Sequence, residues 1–153
     1  PDVILLAKAL GGGYPLGAFV STNEIMKCLS ENPVLGHITT FGGHPVSCAA
    51  ASASLKMIHD DAFLDGVHMK SQKFKDLFSS LPQELKFHQC GLLMAIHFQD
   101  AKTSFTAIEK CLSEGLIVDW FLFAPNAMRL APPLIIEDNE IEKACQIIIN
   151  SVL

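Results

Sequence analysis

Three short stretches of this 153-residue chain carry side chains that could do chemistry. The first contains Lys8, which follows the apolar run Val3–Leu6 and precedes the glycines Gly11–Gly13. Such a run is typical of a buried strand, and the glycines allow a sharp turn or a close approach to a ligand. Apolar surroundings favour the neutral amine of a lysine, which is the nucleophile that forms Schiff bases with carbonyl compounds. The alternative is a lysine that extends from the strand end into solvent.

The second stretch, residues 39–43 (TTFGG), lies just before a predicted helix that starts at Pro45. Hydroxyl groups and free backbone N–H groups at the N-terminus of a helix suit a bound phosphate. The alternative is an ordinary turn with a capping hydroxyl, since such turns are common.

The third stretch contains Arg129, which lies between Met128 and Leu130 in a short apolar run that ends at two prolines. An arginine in such a strand must find an anion or lie at an exposed edge. The planar fork of the guanidinium suits a substrate carboxylate. The alternatives are an ion pair within the protein and an arginine on an edge strand.

An amine nucleophile, a phosphate site and a carboxylate fork are together what one cofactor chemistry requires. Pyridoxal phosphate carries an aldehyde and a phosphate, and its substrates are usually amino acids. In combination the three stretches therefore predict an enzyme that uses this cofactor.

The composition predicts a folded protein with a large core, because 50% of the residues are hydrophobic and 18% are charged. The net charge of −5, without a basic cluster, argues against binding to nucleic acid or to an anionic membrane. No apolar run reaches membrane-spanning length. The five cysteines are scattered and lack CxxC spacing, which indicates reduced, mostly buried thiols in a cytoplasmic protein and no zinc site or disulfide framework.

The elements that must position these residues differ between the two halves of the chain. The chain starts without Met and leads almost directly into a core-like strand, which predicts the C-terminal part of a longer protein. In the first half we expect strands at 3–6 and 16–21 and helices at about 22–30, 45–59 and 62–81.

The second half reads as β-β-α-β-β-α, a compact α+β arrangement. Gly115 is expected to end the first helix of this half. The predicted strands are 85–89, 92–98, 116–123 and 127–131, and the predicted helices start at Thr103 or Ser104 and at Asp138.

Four segments resemble, in order along the chain, the motifs of class III (ornithine/acetylornithine type) aminotransferases of fold type I. They are PDVILLAKALGGGYPLGA around the lysine, HITTFGGHP before the alanine-rich helix, the glycine-led strand GLLMAIHF, and MRLAPPLII near the C-terminus. The resemblance implies an α/β fold in which residues 1–60 end a large cofactor-binding domain and residues 61–153 form a small C-terminal α+β domain.

The same resemblance implies a role for each candidate residue. Lys8 forms the Schiff base with pyridoxal 5′-phosphate, Thr40 contacts the cofactor phosphate of the neighbouring subunit in a homodimer, and Arg129 holds a substrate carboxylate. The implied reaction is a ping-pong transfer of an amino group to 2-oxoglutarate from a donor of the ornithine, acetylornithine or 4-aminobutyrate type.

This chain departs from the family pattern at Ile38, where glycine is usual, and at His44, where asparagine is usual. These changes concern the shape of the phosphate loop. The family's upstream segments, which supply the main phosphate turn and the aspartate that pairs with the ring nitrogen, are not recognisable here, and Asp2 lies too close to Lys8 to be that aspartate. The isolated fragment is therefore expected to be inactive and to expose apolar surface from its first 60 residues.

Other functions are also compatible with these residues. A related aminomutase or decarboxylase would use the same lysine, and a cofactor-free lyase would use Lys8 directly on a carbonyl substrate. A truncated, non-catalytic fragment that only folds or dimerises is the alternative from a different class. Transfer of an amino group to 2-oxoglutarate would distinguish an aminotransferase from an aminomutase or a decarboxylase. Failure to bind the cofactor, even with the upstream half supplied, would mark the non-catalytic fragment, and borohydride trapping of a substrate carbonyl without cofactor would detect the lyase.

Overall fold

The structure is a computed structural model that describes all residues from 1 to 153. It consists of two compact units, residues 1–63 and residues 64–153, and the boundary lies inside the third α-helix. No helix in the chain combines the length and the apolar character that a membrane span requires.

The first unit contains an antiparallel hairpin and two helices. Val3 pairs with Ser21 and Leu6 with Ala18, so the two strands are aligned over their full length. Thr22 caps the first helix by accepting a hydrogen bond from the Ile25 N–H at 3.4 Å. The elements are β1 (Val3–Leu6), β2 (Ala18–Ser21), α1 (Asn23–Lys27) and α2 (Pro45–Ile58).

The prediction that the run Val3–Leu6 forms a buried strand is wrong for this chain, although the strand itself is present. All four side chains of β1 are exposed, and Leu5 is 74% exposed. The reason is that β1 and β2 form a sheet of only two strands, which has no second layer to bury its apolar side chains. The exposed apolar surface expected from the first 60 residues is confirmed, and it includes Tyr14, Phe19, Val20 and Phe41.

The second unit contains an antiparallel four-stranded sheet in the order β3-β4-β6-β5. The predicted β-β-α-β-β-α order is confirmed. The third helix leads into this unit and ends in a short 3₁₀ turn, Phe78–Ser80. The elements are α3 (Asp61–Leu77), β3 (Lys86–Cys90), β4 (Leu93–His97), α4 (Ala101–Ser113), β5 (Asp119–Phe121), β6 (Ala124–Leu130) and α5 (Asp138–Val152).

The core of the second unit is formed by the two inner strands and the helices. Met94 and Ile96 of β4, Met128 of β6, and Ile141 and Ile148 of α5 are at most 2% exposed. Complete burial of one such side chain stabilises a fold by about 1.5–3 kcal/mol. Because this core holds the strands in place, it also fixes the backbone positions of the residues on the other face of the sheet.

Several element boundaries differ by a few residues from the sequence predictions, and at two of them local hydrogen bonds explain the difference. Helix α4 starts at Ala101, since the Asp100 carboxylate caps it by accepting from the Thr103 N–H at 2.8 Å. That N–H bond also lowers the pKa of Asp100. The predicted strand 116–123 is shortened to β5, because the Leu116 N–H bonds back to the Cys111 carbonyl in the cap of α4 and because Leu122 and Phe123 form the hairpin turn.

The cysteines are free thiols, but the prediction that most of them are buried is wrong. Cys28, Cys48 and Cys90 are exposed, and only Cys111 and Cys145 are buried. Cys90 ends β3, which is an edge strand, and this explains its exposure. Loss of hydration raises the pKa of Cys145 to about 12, so this thiol stays protonated at neutral pH.

Candidate functional site

Lys8 lies two residues after the end of β1, at the start of a 3₁₀ turn that covers Lys8–Gly11. Its backbone φ is +55°, in the left-handed region that costs a non-glycine residue about 1–2 kcal/mol. Strain of this kind is concentrated at functional sites in proteins. The expectation of an apolar environment for the amine is not met within this chain, because the Lys8 side chain is exposed together with β1.

The turn after Lys8 packs its backbone against helix α2 at Gly12. A Cβ atom on Gly12 would lie 2.7 Å from the carbonyl oxygen of Ala50, and the φ of Gly12 is +57°. Gly13 also has a positive φ, of +96°, but a Cβ atom there would meet no atom within 4 Å. The glycine at position 12 therefore allows α2 to position the Lys8 turn.

We expect Gly12→Ala to destabilise the protein more than Gly13→Ala. Both substitutions place a side chain at positive φ, which costs about 1–2 kcal/mol. Only Gly12→Ala adds an overlap with the backbone of Ala50, for which overpacking costs of about 1–3 kcal/mol are typical. Thermal unfolding of the two variants under one set of conditions measures the difference, and equal melting temperatures would show that the close approach to α2 does not matter.

The segment before α2 forms a turn in which the Gly42 N–H donates to the Thr39 carbonyl at 3.2 Å. A Cβ atom on Gly42 would lie 2.8 Å from the Thr39 Oγ1 atom, so that hydroxyl lies close against the turn. Thr40 is exposed. The alternative of a capping hydroxyl is not observed, because the N-cap residue of α2 is His44 and its side chain makes no capping hydrogen bond.

Arg129 is the single arginine of the chain and lies in β6. The alternative of an edge strand is wrong, because β6 lies between β4 and β5. The alternative of an internal ion pair is observed: Nη2 of Arg129 donates to Oδ2 of Asp119 at 2.8 Å. The Arg129 side chain nevertheless remains 40% exposed, so that the guanidinium is accessible to a ligand.

The sequence predictions did not include Asp119 among the candidate site residues. It is the only charged residue in the run 116–123, and it precedes Arg129 by ten positions across a hairpin. An isolated charge of that kind could have been recognised as a partner for the arginine, but only if the strand register were known.

The residues of the first unit fit pyridoxal phosphate as the implied cofactor. Lys8 offers an amine for an aldehyde and Thr40 a hydroxyl for a phosphate, and both are exposed to a group outside the chain. The N-terminus of α2, which lacks a side-chain cap, offers further N–H donors to an anion. Arg129 belongs to the second unit.

Comparisons with known proteins all find similarity to aminotransferases. The model of the family "Aminotransferase class-III" matches residues 1–152. The chain is 35% identical over 148 residues to an acetylornithine aminotransferase of Haemophilus ducreyi. It is 37% identical over 155 residues to a succinylornithine transaminase/acetylornithine aminotransferase of Pseudomonas aeruginosa.

The fold is similar to that of the ornithine aminotransferase of Toxoplasma gondii, whose active site contains PLP at partial occupancy. The TM-score is 0.82 at 29% identity, and the match covers 99% of this chain and 36% of that one. The matches to the two curated relatives cover 97% and 95% of this chain. They cover 36% of the length of each relative, so this chain spans about a third of the proteins it matches.

Proposed function

This chain belongs to the class-III aminotransferase family, and we propose that it forms the C-terminal part of an enzyme that transfers an amino group to 2-oxoglutarate. The donor is an amino acid of the ornithine, acetylornithine or 4-aminobutyrate type. The names of the relatives support a donor of the acetylornithine type. The observation that carries the proposal is the left-handed backbone at Lys8, in a turn held against α2.

In the proposed reaction the cofactor is pyridoxal phosphate, which when bound stabilises negative charge on the carbon that loses its proton. Nζ of Lys8 would hold the cofactor, because a neutral amine is the nucleophile that condenses with its aldehyde. When released by the incoming amino donor, Nζ of Lys8 would take the proton from the substrate carbon as a general base and give it up again as a general acid.

The other two candidate residues orient the reactants. Thr40 donates its hydroxyl to the cofactor phosphate, and we propose that it does so in the site of a neighbouring subunit of a homodimer. Arg129 holds a carboxylate of the donor in one half-reaction and of the oxo acid in the other. Because both kinds of substrate carry a carboxylate, one arginine can serve both steps.

Conversion of 2-oxoglutarate to glutamate by the full-length enzyme tests the proposal. A panel of single amino donors would be supplied in turn, and glutamate would be measured directly. We expect glutamate formation with at least one donor of the ornithine, acetylornithine or 4-aminobutyrate type. Loss of carbon dioxide or migration of the amino group within the donor, without glutamate, would indicate a decarboxylase or an aminomutase instead.

We expect Thr40→Ala to weaken pyridoxal phosphate binding by about ten- to hundredfold, since a hydrogen bond to a charged group is worth about 1.5–3 kcal/mol. Thr39→Ala is the matched control. Its hydroxyl lies against Gly42 in the turn, so that we expect a smaller effect. Titration of the apoenzyme with the cofactor measures both affinities, and equal losses at the two threonines would reduce this loop to an ordinary turn.

If Thr40 serves a neighbouring subunit, dilution below the dimer dissociation constant should also lower the affinity of the wild type for the cofactor. The Thr40→Ala variant should show little additional loss on dilution. Cofactor affinity that does not depend on protein concentration would place Thr40 in its own subunit's site or outside any site.

A further inference from the structure

Arg129 lies in a row of four directly paired residues that crosses the sheet of the second unit, from His88 of β3 to Asp119 of β5. Asp119 of β5 is directly opposite Arg129, and Ala95 of β4 is directly opposite it on the other side. Residues that are directly opposite in an antiparallel sheet project from the same face. The arginine therefore has a carboxylate on one side and a methyl group on the other, so that Asp119 is the polar residue directly opposite it, while His88 lies beyond Ala95.

The Asp119 carboxylate is held at both of its oxygens. Oδ1 accepts a hydrogen bond from the backbone N–H of Trp120 at 2.8 Å, and Oδ2 accepts from Nη2 of Arg129 at 2.8 Å. The Trp120 ring packs edge-on against Phe105 of α4, with ring centroids 5.3 Å apart. The Asp119 side chain thus links the Arg129 guanidinium to the β5 backbone and fixes its orientation.

We propose that Asp119 is a positioning residue for substrate binding, which holds the guanidinium of Arg129 in the orientation that a carboxylate substrate needs. This inference rests on the proposed role of Arg129. Asp119 engages one guanidinium nitrogen, Nη2, which leaves the other N–H groups for a bidentate contact with the substrate. An arginine that is already held loses less side-chain freedom when the ligand binds.

The negative charge of Asp119 also repels a substrate carboxylate, and this effect opposes the first. The Asp119 side chain is 48% exposed, so water and salt weaken the repulsion. Water and salt do not weaken the orienting effect of Asp119 on the guanidinium in the same way. The net effect of Asp119 is therefore to favour the binding of carboxylates.

The variant Asp119→Asn in the full-length holoenzyme tests this inference. Asparagine keeps an oxygen for the Trp120 N–H but presents an NH₂ group to Arg129, which cannot accept its hydrogen bond. We expect kcat/KM for carboxylate substrates to fall by about five- to tenfold. Calorimetric titration with glutarate, an unreactive dicarboxylate, should show a similar loss of affinity. Asp119→Glu, which keeps the carboxylate, should recover part of both.

Glu142→Gln is the matched control for the loss of an ion pair. Glu142 pairs with Lys73 at 2.7 Å between helices α5 and α3 in the same unit, and its side chain is 61% exposed. Exposed ion pairs contribute little to stability, so both variants should keep the melting temperature of the wild type. We expect glutarate affinity to be unchanged in Glu142→Gln.

The effects of Asp119→Asn and Arg129→Lys should not add, because Asp119 acts through Arg129. The double variant should bind glutarate no more weakly than Arg129→Lys alone, and fully additive losses would overturn the positioning role. Unchanged or tighter glutarate binding in Asp119→Asn, together with impaired binding in Arg129→Lys, would overturn this inference alone. Normal binding in both variants would overturn it together with the proposed role of Arg129.

Discussion

Replacement of Lys8 by alanine should abolish the visible absorption band of the cofactor-loaded enzyme and reduce turnover by about a thousandfold or more. A methyl group can neither bond to the cofactor aldehyde nor carry a proton, and the loss of a general acid–base group costs about 10²–10⁴-fold. Alanine keeps a Cβ atom at the positive φ of +55°, so the substitution leaves the backbone cost of the turn unchanged.

Two further variants make this prediction specific to the amine of Lys8. Lys8→Arg keeps a positive charge but supplies no nucleophile, so we expect it to be as inactive as Lys8→Ala. Lys56→Ala removes another exposed lysine of the first unit, on α2, and should leave the absorption band and the turnover unchanged. A Lys8→Ala enzyme that retained the band and normal turnover would exclude Lys8 from the mechanism.

Replacement of Arg129 by lysine should lower kcat/KM for carboxylate substrates by about a hundredfold, since a misplaced carboxylate also misplaces the carbon that must lose its proton. Lysine keeps the charge but loses the planar fork, and its single nitrogen cannot contact both Asp119 and a substrate in the geometry of a guanidinium. The visible band that depends on Lys8 should be nearly unchanged, because Arg129 is not proposed to contact the cofactor.

Because Arg129 forms an ion pair with Asp119, its role could be purely structural. Melting temperature and kcat/KM, measured on one preparation, distinguish this structural role from a role in substrate binding. The side chains of Arg129 and Asp119 are 40% and 48% exposed, and ion pairs of that kind are worth about 0–1 kcal/mol. We therefore expect a melting temperature close to that of the wild type. A large drop in melting temperature with normal kcat/KM in the folded enzyme would show that Arg129 only supports the sheet.

Much of the second unit could be predicted because its signals are local. Gly115, at a positive φ of +81°, ends α4 as its residue type indicates, and the apolar period of 138–153 matches the buried positions Ile141, Cys145 and Ile148 of α5. The ends of helices and strands differ from the prediction where a local hydrogen bond competes with the hydrophobic pattern. The cap on α4 by Asp100 is the clearest case, because a carboxylate at the N-cap satisfies an N–H group that the hydrophobic period does not register.

The amino-acid sequence alone determined the order of the elements, the family resemblance and the choice of Lys8, Thr40 and Arg129 as candidates, since these follow from residue type and from spacing along the chain. Only the tertiary structure decided that β6 is an inner strand and that Asp119 is opposite Arg129. It also decided that Lys8 has a left-handed backbone beside an exposed β1. The physical reason is that strand order, register and burial depend on contacts between residues far apart in the chain, which local propensity does not encode.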